Sequence, residues 1–205
     1  MDHAAIVASF VTLFVIIDPI GLAPIFVVLT KGMTVSHRRT IGLRACVIGF
    51  ALLTMFALFG ESLLGFMGIS ISAFRIAGGI LLFLTALDML FERRTKRRKG
   101  QANANDDPSV FPLATPLIAG PGAITTIILL AGQTGDDWAA FITIMLVLLG
   151  VIALVLLTFL AAGLFERALG ETGTNVITRI LGMLLAALSV QFVVDGITTL
   201  VKAAA

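Results

Sequence analysis

FVIIDPIGLAPIF at residues 14–26 and PLATPLIAGPGAI at residues 112–124 are the two stretches on which the fold turns. Each lies within an apolar run, with prolines and glycines where a membrane-crossing helix would be half-way through. Proline lacks an amide hydrogen and its ring clashes with the preceding turn, while the residue before it is pushed towards extended angles. Pro19 and Pro24 flank Gly21, and Pro116 and Pro121 are accompanied by Gly120 and Gly122. Prolines so close together predict local unwinding of both helices. Backbone groups released inside a bilayer must face protein, water or a ligand, because hydrocarbon cannot satisfy them.

Outward from these stretches, apolar runs occupy 4–29, 41–59, 69–91, 111–132, 138–161 and 176–200. Each approaches the roughly 20 residues needed to cross a bilayer. Of 205 residues 59% are hydrophobic and 13% charged, with mean hydropathy +1.09, more than a soluble core of this size hides. The expected fold is all-α, a polytopic membrane protein of six transmembrane helices with the lipid bilayer as solvent. Little chain remains for a soluble catalytic domain. Asp2 and His3, before a long apolar run, read as the start of a retained span and not of a cleaved signal peptide. Cys46 lies inside the second span, and His3 and His37 fall in a terminus and a loop. No metal-ligand spacing or Ser–His pair results, so neither a metal, a cofactor nor an enzyme activity is expected.

Twelve of the fourteen basic residues lie on one side of this arrangement, including Lys31, Arg38, Arg39, Arg44, the run Arg93–Lys99, Arg167 and Arg179. The positive-inside rule makes that side cytoplasmic and places both termini outside. The run at 93–99 then reads as a topogenic loop and not as a nucleic-acid patch, and Gln101–Asp107 as a linker. Trp138, beside Asp136 and Asp137, fits an aromatic anchor at the outer interface.

Three matches recur in the same order in both halves. Pro19-x4-Pro24 recurs as Pro116-x4-Pro121, Glu61-x3-Gly65 as Glu166-x3-Gly170, and Arg75-Ile76-x-Gly78 as Arg179-Ile180-x-Gly182, at offsets of 97, 105 and 104. The expected organisation is a repeat at 1–92, a basic loop at 93–110 and a second repeat at 111–205, each repeat having three spans and a broken first helix. An odd number of crossings makes the second copy enter from the opposite face, an architecture frequent among secondary transporters.

Pro24 and Pro121 are expected to begin second half-helices, whose free N–H groups and positive dipole ends suit a carboxylate. The candidate substrate-binding residues are Asp18, Pro19, Gly21, Pro24, Thr115, Pro116, Gly120, Pro121, Gly122 and Thr125. A carboxylate at the depth of Asp18 costs about 2.5–3.5 kcal/mol on insertion scales. A proton, a bound Na⁺, a substrate ammonium or Arg75 would compensate it, and a protonated Asp18 capping the following half-helix is the plain structural alternative. Gating or coupling candidates are Asp18, Arg75, Arg179 and Gln191, with Asp88 and Asp195 as interfacial partners; Arg75 and Arg179 alternatively snorkel to headgroups. Glycines 42, 49, 78, 79, 163 and 182 are assigned to close helix packing.

DPIGLAP at 18–24, GFMGIS and AFRIAGG within 65–79, and PLIAGPGAIT at 116–125 resemble the MarC family of bacterial inner-membrane proteins. The resemblance covers essentially the whole chain. It is similar to a six-span neutral amino acid transporter group within the LysE-type superfamily. The resemblance implies movement of a small-molecule substrate such as alanine or glycine, driven by a proton or sodium gradient, and leaves room for a homo-oligomer. The family's first motif often begins with Asn where this chain has Asp18. A multidrug or lipid exporter with a wide cavity, and a scaffold or regulatory protein with water-free packing at both breaks, are the competing readings.

Overall fold

The computed structural model describes residues 2–91 and 107–204. The basic run at 93–99 lies outside the described residues, as do the side chains of 163–169, 171, 203 and 204, with Gly163, Glu166 and Arg167 among them. Eight helical elements follow in order: α1 (His3–Ile17), α2 (Pro19–Leu29), α3 (Val35–Phe66), α4 (Ile71–Leu90), α5 (Ser109–Ile118), α6 (Pro121–Gly132), α7 (Trp138–Leu160) and α8 (Ala162–Ala204).

Their starts follow local chemistry. Asp2, Thr34, Ser70 and Asp137 each accept an N–H from the first turn of the helix they precede. Five segments are long and apolar enough to cross a membrane: His3–Leu29, Val35–Phe66, Ile71–Leu90, Trp138–Leu160 and Thr172–Lys202. Ser109–Ile118 with Pro121–Gly132, bent by 56°, makes a sixth if the pair counts as one span. The segment before Thr172 is set off at Gly170, whose φ of 60° and ψ of −178° suit glycine alone.

The first span is the central one. In its most apolar window 56% of residues are buried, against 22–33% in the other four long helices. Leu13, Ile17, Leu22 and Phe26 from this span meet Leu82 and Met89 of α4, Leu113 and Ile118 of α5, Ile127 of α6 and Leu148 of α7 in one core. Large apolar side chains also face outward, Leu146, Leu157 and Val7 among them. A soluble surface does not carry so much apolar area, and hydrocarbon is the solvent that tolerates it.

Lipid tails are as apolar as the helices, so close backbone approach contributes much of their association. The glycines supply it. A Cβ at Gly79 would lie 2.8 Å from the Ser189 carbonyl oxygen, one at Gly182 3.3 Å from that of Ala86, and one at Gly196 3.0 Å from that of Ser72. The pairings run in opposite order along the two helices, so α4 and α8 are antiparallel and in contact over most of α4. Gly49 meets Ile118 and Gly60 meets Ile128, so α3 runs parallel to the α5–α6 span. Gly42 packs against Phe26 and Phe159, whose rings stack at 4.3 Å with Arg38 over the Phe26 face.

Arg44 pairs with Asp107, tying the start of α3 to the chain entering α5. The Ser109 amide and then the Arg44 guanidinium hold the Asp107 carboxyl below its ordinary range. This exposed tie is therefore kept above that range and lost as pH falls through the lowered value, and its contribution is small.

Replacing Gly79 with Val forces a side chain into the Ser189 backbone and should cost about 1–3 kcal/mol. Gly150, with nothing within 4 Å of its would-be Cβ, should tolerate the same change. Thermal melting of the two variants in detergent, with a clear drop for Gly79→Val alone, checks this.

Candidate functional site

The two interruptions differ in depth. In the first span the break is one residue, Asp18, held at φ 55° and ψ 64°. Asp18 ends α1 by donating its N–H to the Phe14 carbonyl, and its Oδ1 accepts the Gly21 N–H at 3.0 Å, capping α2. Pro19 follows as the first residue of α2, where a missing N–H costs nothing. Pro24 therefore lies inside α2 and does not begin the half-helix. Its ring leaves the Ile20 carbonyl without the amide that would normally follow four residues later.

In the fourth span the chain unwinds over α5. Phe111 (φ −130°, ψ 124°) and Thr115 (φ −131°, ψ 124°) are extended, and each precedes a proline that excludes the helical region. Pro112 has no N–H to offer the Pro108 carbonyl, and the Leu113 amide takes its place at 3.1 Å, widening the turn. Helix α6 then starts at Pro121, as the sequence predicts, with Gly120 as its N-cap residue and no side-chain cap.

Pro19 and Pro121 thus occupy equivalent helix starts, 102 residues apart. This corrects the offset of 97 taken from matching Pro19 to Pro116, and it stands closer to the 104 and 105 of the other two matches. Asp18 corresponds to Gly120 and not to Thr115. The consequence is chemical: Asp18 already satisfies the start of α2, so the Gly21 N–H is not offered to an anion, contrary to expectation. The start of α6 keeps its donors.

The breaks adjoin. A methyl at Gly122 would come within 2.9 Å of Leu82 and 3.5 Å of Ile16, two residues before Asp18. One helical turn on, Thr126 lies on the same face as Gly122. It is fully buried, and its Oγ1 has no hydrogen-bond partner among the described residues. An unsatisfied buried hydroxyl costs about 1–3 kcal/mol. Asp18 is 1% exposed. The site therefore gathers the Asp18 carboxylate and the Ile20 carbonyl on one break, and amides and a hydroxyl on the other.

Other expected residues fall elsewhere. Thr125 is buried against Gly78 of α4 and acts in packing. Thr115 and Pro121 are exposed, and Pro116 and Gly120 half-buried, at the edge of the break. Gln191 is exposed and donates to Asp195 at 2.7 Å, outside the site. The antiparallel register of α4 and α8 brings half-buried Arg75 level with Asp195, and exposed Arg179 level with Asp88, at opposite ends of the pair. Thr126 was not foreseen. Its spacing of four from Gly122 was the available signal, but neighbouring Thr125 offered no contrast in composition.

These features define a polytopic all-α membrane protein with a polar interruption at its centre. The profile of the MarC family integral membrane protein matches residues 3–201, and the chain belongs to that family. It is 42% identical to a UPF0056 membrane protein of Archaeoglobus fulgidus, over 93% of this chain and 91% of that one. It is 36% identical to the UPF0056 membrane protein YvbG of Bacillus subtilis (96% of each chain), and 34% identical to the UPF0056 inner membrane protein YhgN of Escherichia coli strain K12 (96% and 98%). No solved structure matches the chain.

Asn both caps helices and tolerates left-handed angles, so Asp18→Asn should keep the wild-type melting temperature. Asp18→Ala loses the cap and strains the backbone, and should destabilise by about 1–2 kcal/mol. Melting of both variants in the same detergent tests the assignment.

Proposed function

We propose that this chain is a secondary transporter of small neutral amino acids, alanine or glycine in kind, driven by a proton or sodium gradient. One observation carries the reading: the uncapped start of α6, with the unpartnered Thr126 hydroxyl beneath it, lies against the Asp18 interruption. Donors on one break and acceptors on the other match a zwitterion. The substrate carboxylate meets the amides of Gly122 and Ala123 and the Thr126 hydroxyl, at the positive end of α6. Its ammonium group meets Asp18 and the Ile20 carbonyl. Gly21 and Gly122 admit no methyl without displacing a neighbour, which favours a small side chain. Asp18 is the position at which a proton or Na⁺ would couple.

An inverted repeat is supported by the contacts between elements. Exchanging α1–α4 with α5–α8 turns α3 on α6 into α7 on α2, α3 on α5 into α7 on α1, and α4 on α6 into α8 on α2, while α4 on α8 and α3 on α7 map onto themselves. Three spans per repeat reverse the orientation of the second, and rocking of one repeat against the other would expose the central site alternately. Arg75 and Arg179, at opposite ends of the α4–α8 pair, are then the gate residues. In this reading both termini are outside, the membrane is a bacterial inner membrane, and neither nucleic acid nor a catalysed reaction is involved.

Proteoliposomes given labelled alanine, glycine and a bulky cationic drug, under imposed proton or sodium gradients, test it. Alanine or glycine should accumulate under one gradient, and Asp18→Asn should abolish the dependence on that gradient. Thr126→Val should slow uptake at least about threefold while leaving melting unchanged or raised, since it removes an unsatisfied hydroxyl. Failure of every amino acid to move under either gradient defeats the proposal, and movement of the drug alone would favour an exporter.

A further inference from the structure

Glu61 recurs in the internal repeat, yet the central site makes no use of it. It stands near the end of α3, beside a cavity of about 330 Å³ whose lining includes Ala57, Ala131, Thr134, Trp138 and Phe141. Its Oε2 would lie 3.4 Å from a Cβ at Gly132, the last residue of α6. The last turn of a helix carries its negative dipole end, where a carboxylate is repelled and a cation attracted. Glu61 is exposed, and its carboxylate together with the helix end makes the adjoining space attractive to a cation. The cavity wall contributes none: its polar groups are Glu61 itself, hydroxyls such as that of Thr134, and the Trp138 indole. Thr134 gives its hydroxyl hydrogen to the Ala131 carbonyl at 2.7 Å, so the oxygen faces the cavity's chemistry as an acceptor.

The aromatic wall is suited to the same guest. Trp138 and Phe141 meet edge to face with centroids 5.7 Å apart, and ring faces attract organic cations. Asp136 and Asp137 precede Trp138; Asp137 is engaged in capping α7, accepting the Ala140 N–H at 3.1 Å. A divalent metal is a poor fit, since no group of three His, Cys, Asp or Glu side chains able to hold one occurs among the described residues. An α-amino acid is equally poor, because its carboxylate, on the same carbon as the ammonium group, would meet Glu61.

We propose that this cleft, between the ends of α3 and α6 and the start of α7, binds small organic ammonium compounds: primary amines with an apolar body and no carboxylate. The Glu61 carboxylate holds the ammonium group, the two rings cover it, and Ala57 and Ala131 take the apolar part. The volume lies at the lower end of small-molecule sites. The ammonium group belongs either to a free amine or to an aminophospholipid headgroup. The site is remote from the midspan breaks in its lining residues and does not depend on the transport reading.

Trp138 is the chain's one tryptophan, so intrinsic fluorescence reports the cleft directly. The full chain in phosphatidylglycerol nanodiscs is titrated with cyclohexylamine hydrochloride and, separately, transferred to discs that also contain phosphatidylethanolamine. A saturable change in emission with the amine, weakened at least about tenfold by Glu61→Gln and largely retained in Glu61→Asp, supports a site for free amines. The same Glu61-dependent change produced by phosphatidylethanolamine alone supports the headgroup as the source. Phe141→Leu should weaken either response severalfold while keeping Glu61 intact, which separates loss of binding from misfolding. An emission change absent from both titrations, or equal in wild type and Glu61→Gln, overturns the site. Alanine acting at the same midpoint as cyclohexylamine overturns the ligand class.

Discussion

Hydrocarbon offers no hydrogen bonds, and the arrangement of this protein follows from where its main chain breaks that rule. Six prolines in 205 residues would be unremarkable in a soluble protein. Here five of them, Pro19, Pro24, Pro112, Pro116 and Pro121, fall within membrane spans. Each removes a donor or excludes the helical region for its predecessor, and the resulting polar groups have to be taken out of contact with lipid. Placing the two broken spans at the centre, with the four longer helices around them, accomplishes that. It also explains why the first span is the most buried and why its side chains dominate the core.

The surrounding helices hold the centre with little polar chemistry. Packing of α4 along α8 is made possible by Gly79, Gly182 and Gly196, each set against a carbonyl oxygen of the facing helix. Ser and Thr side chains throughout the fold mostly bond to their own backbone, as Ser9, Thr30, Thr85, Thr158 and Ser189 do. Among the described residues the buried hydroxyls of Thr54, Ser109 and Thr126 have no partner, and Thr126 is the one on α6. A hydroxyl that has neither a local carbonyl nor a neighbour, on the face that meets the other break, is where the fold keeps a polar group uncommitted.

The two breaks solve one problem differently. Asp18 supplies its own helix cap and closes the start of α2, whereas Gly120 supplies none and leaves the start of α6 open. Sequence symmetry therefore carries chemical asymmetry. A pair of identical anion sites would suit two carboxylates, while one donor end and one acceptor end suit a molecule bearing both charges.

Hydropathy alone placed the apolar segments, five spans and a sixth if the bent pair counts as one, because the requirement to fill about 30 Å of hydrocarbon with apolar side chains is local and additive. It set the ends of the second span, Val35–Phe66, too short. Close packing at Gly42, Gly49, Gly78, Gly79 and Gly182 was legible too, since small residues in apolar helices have few other uses; Gly60 and Gly196 were not singled out. The place of the first break was not read correctly. Asp18 followed by Pro19 is itself a helix-start signature, yet matching the more conspicuous Pro-x4-Pro pairs moved the break to Pro24 and shifted the repeat register by five. Tertiary structure alone decided that Ile16 lies against Gly122, that Thr125 is spent on Gly78 while Thr126 is not, and that Glu61 meets the end of α6. Such choices depend on which face of each helix meets which neighbour. A rotation of one residue, about 100° around a helix, changes that face while leaving composition, length and hydropathy untouched.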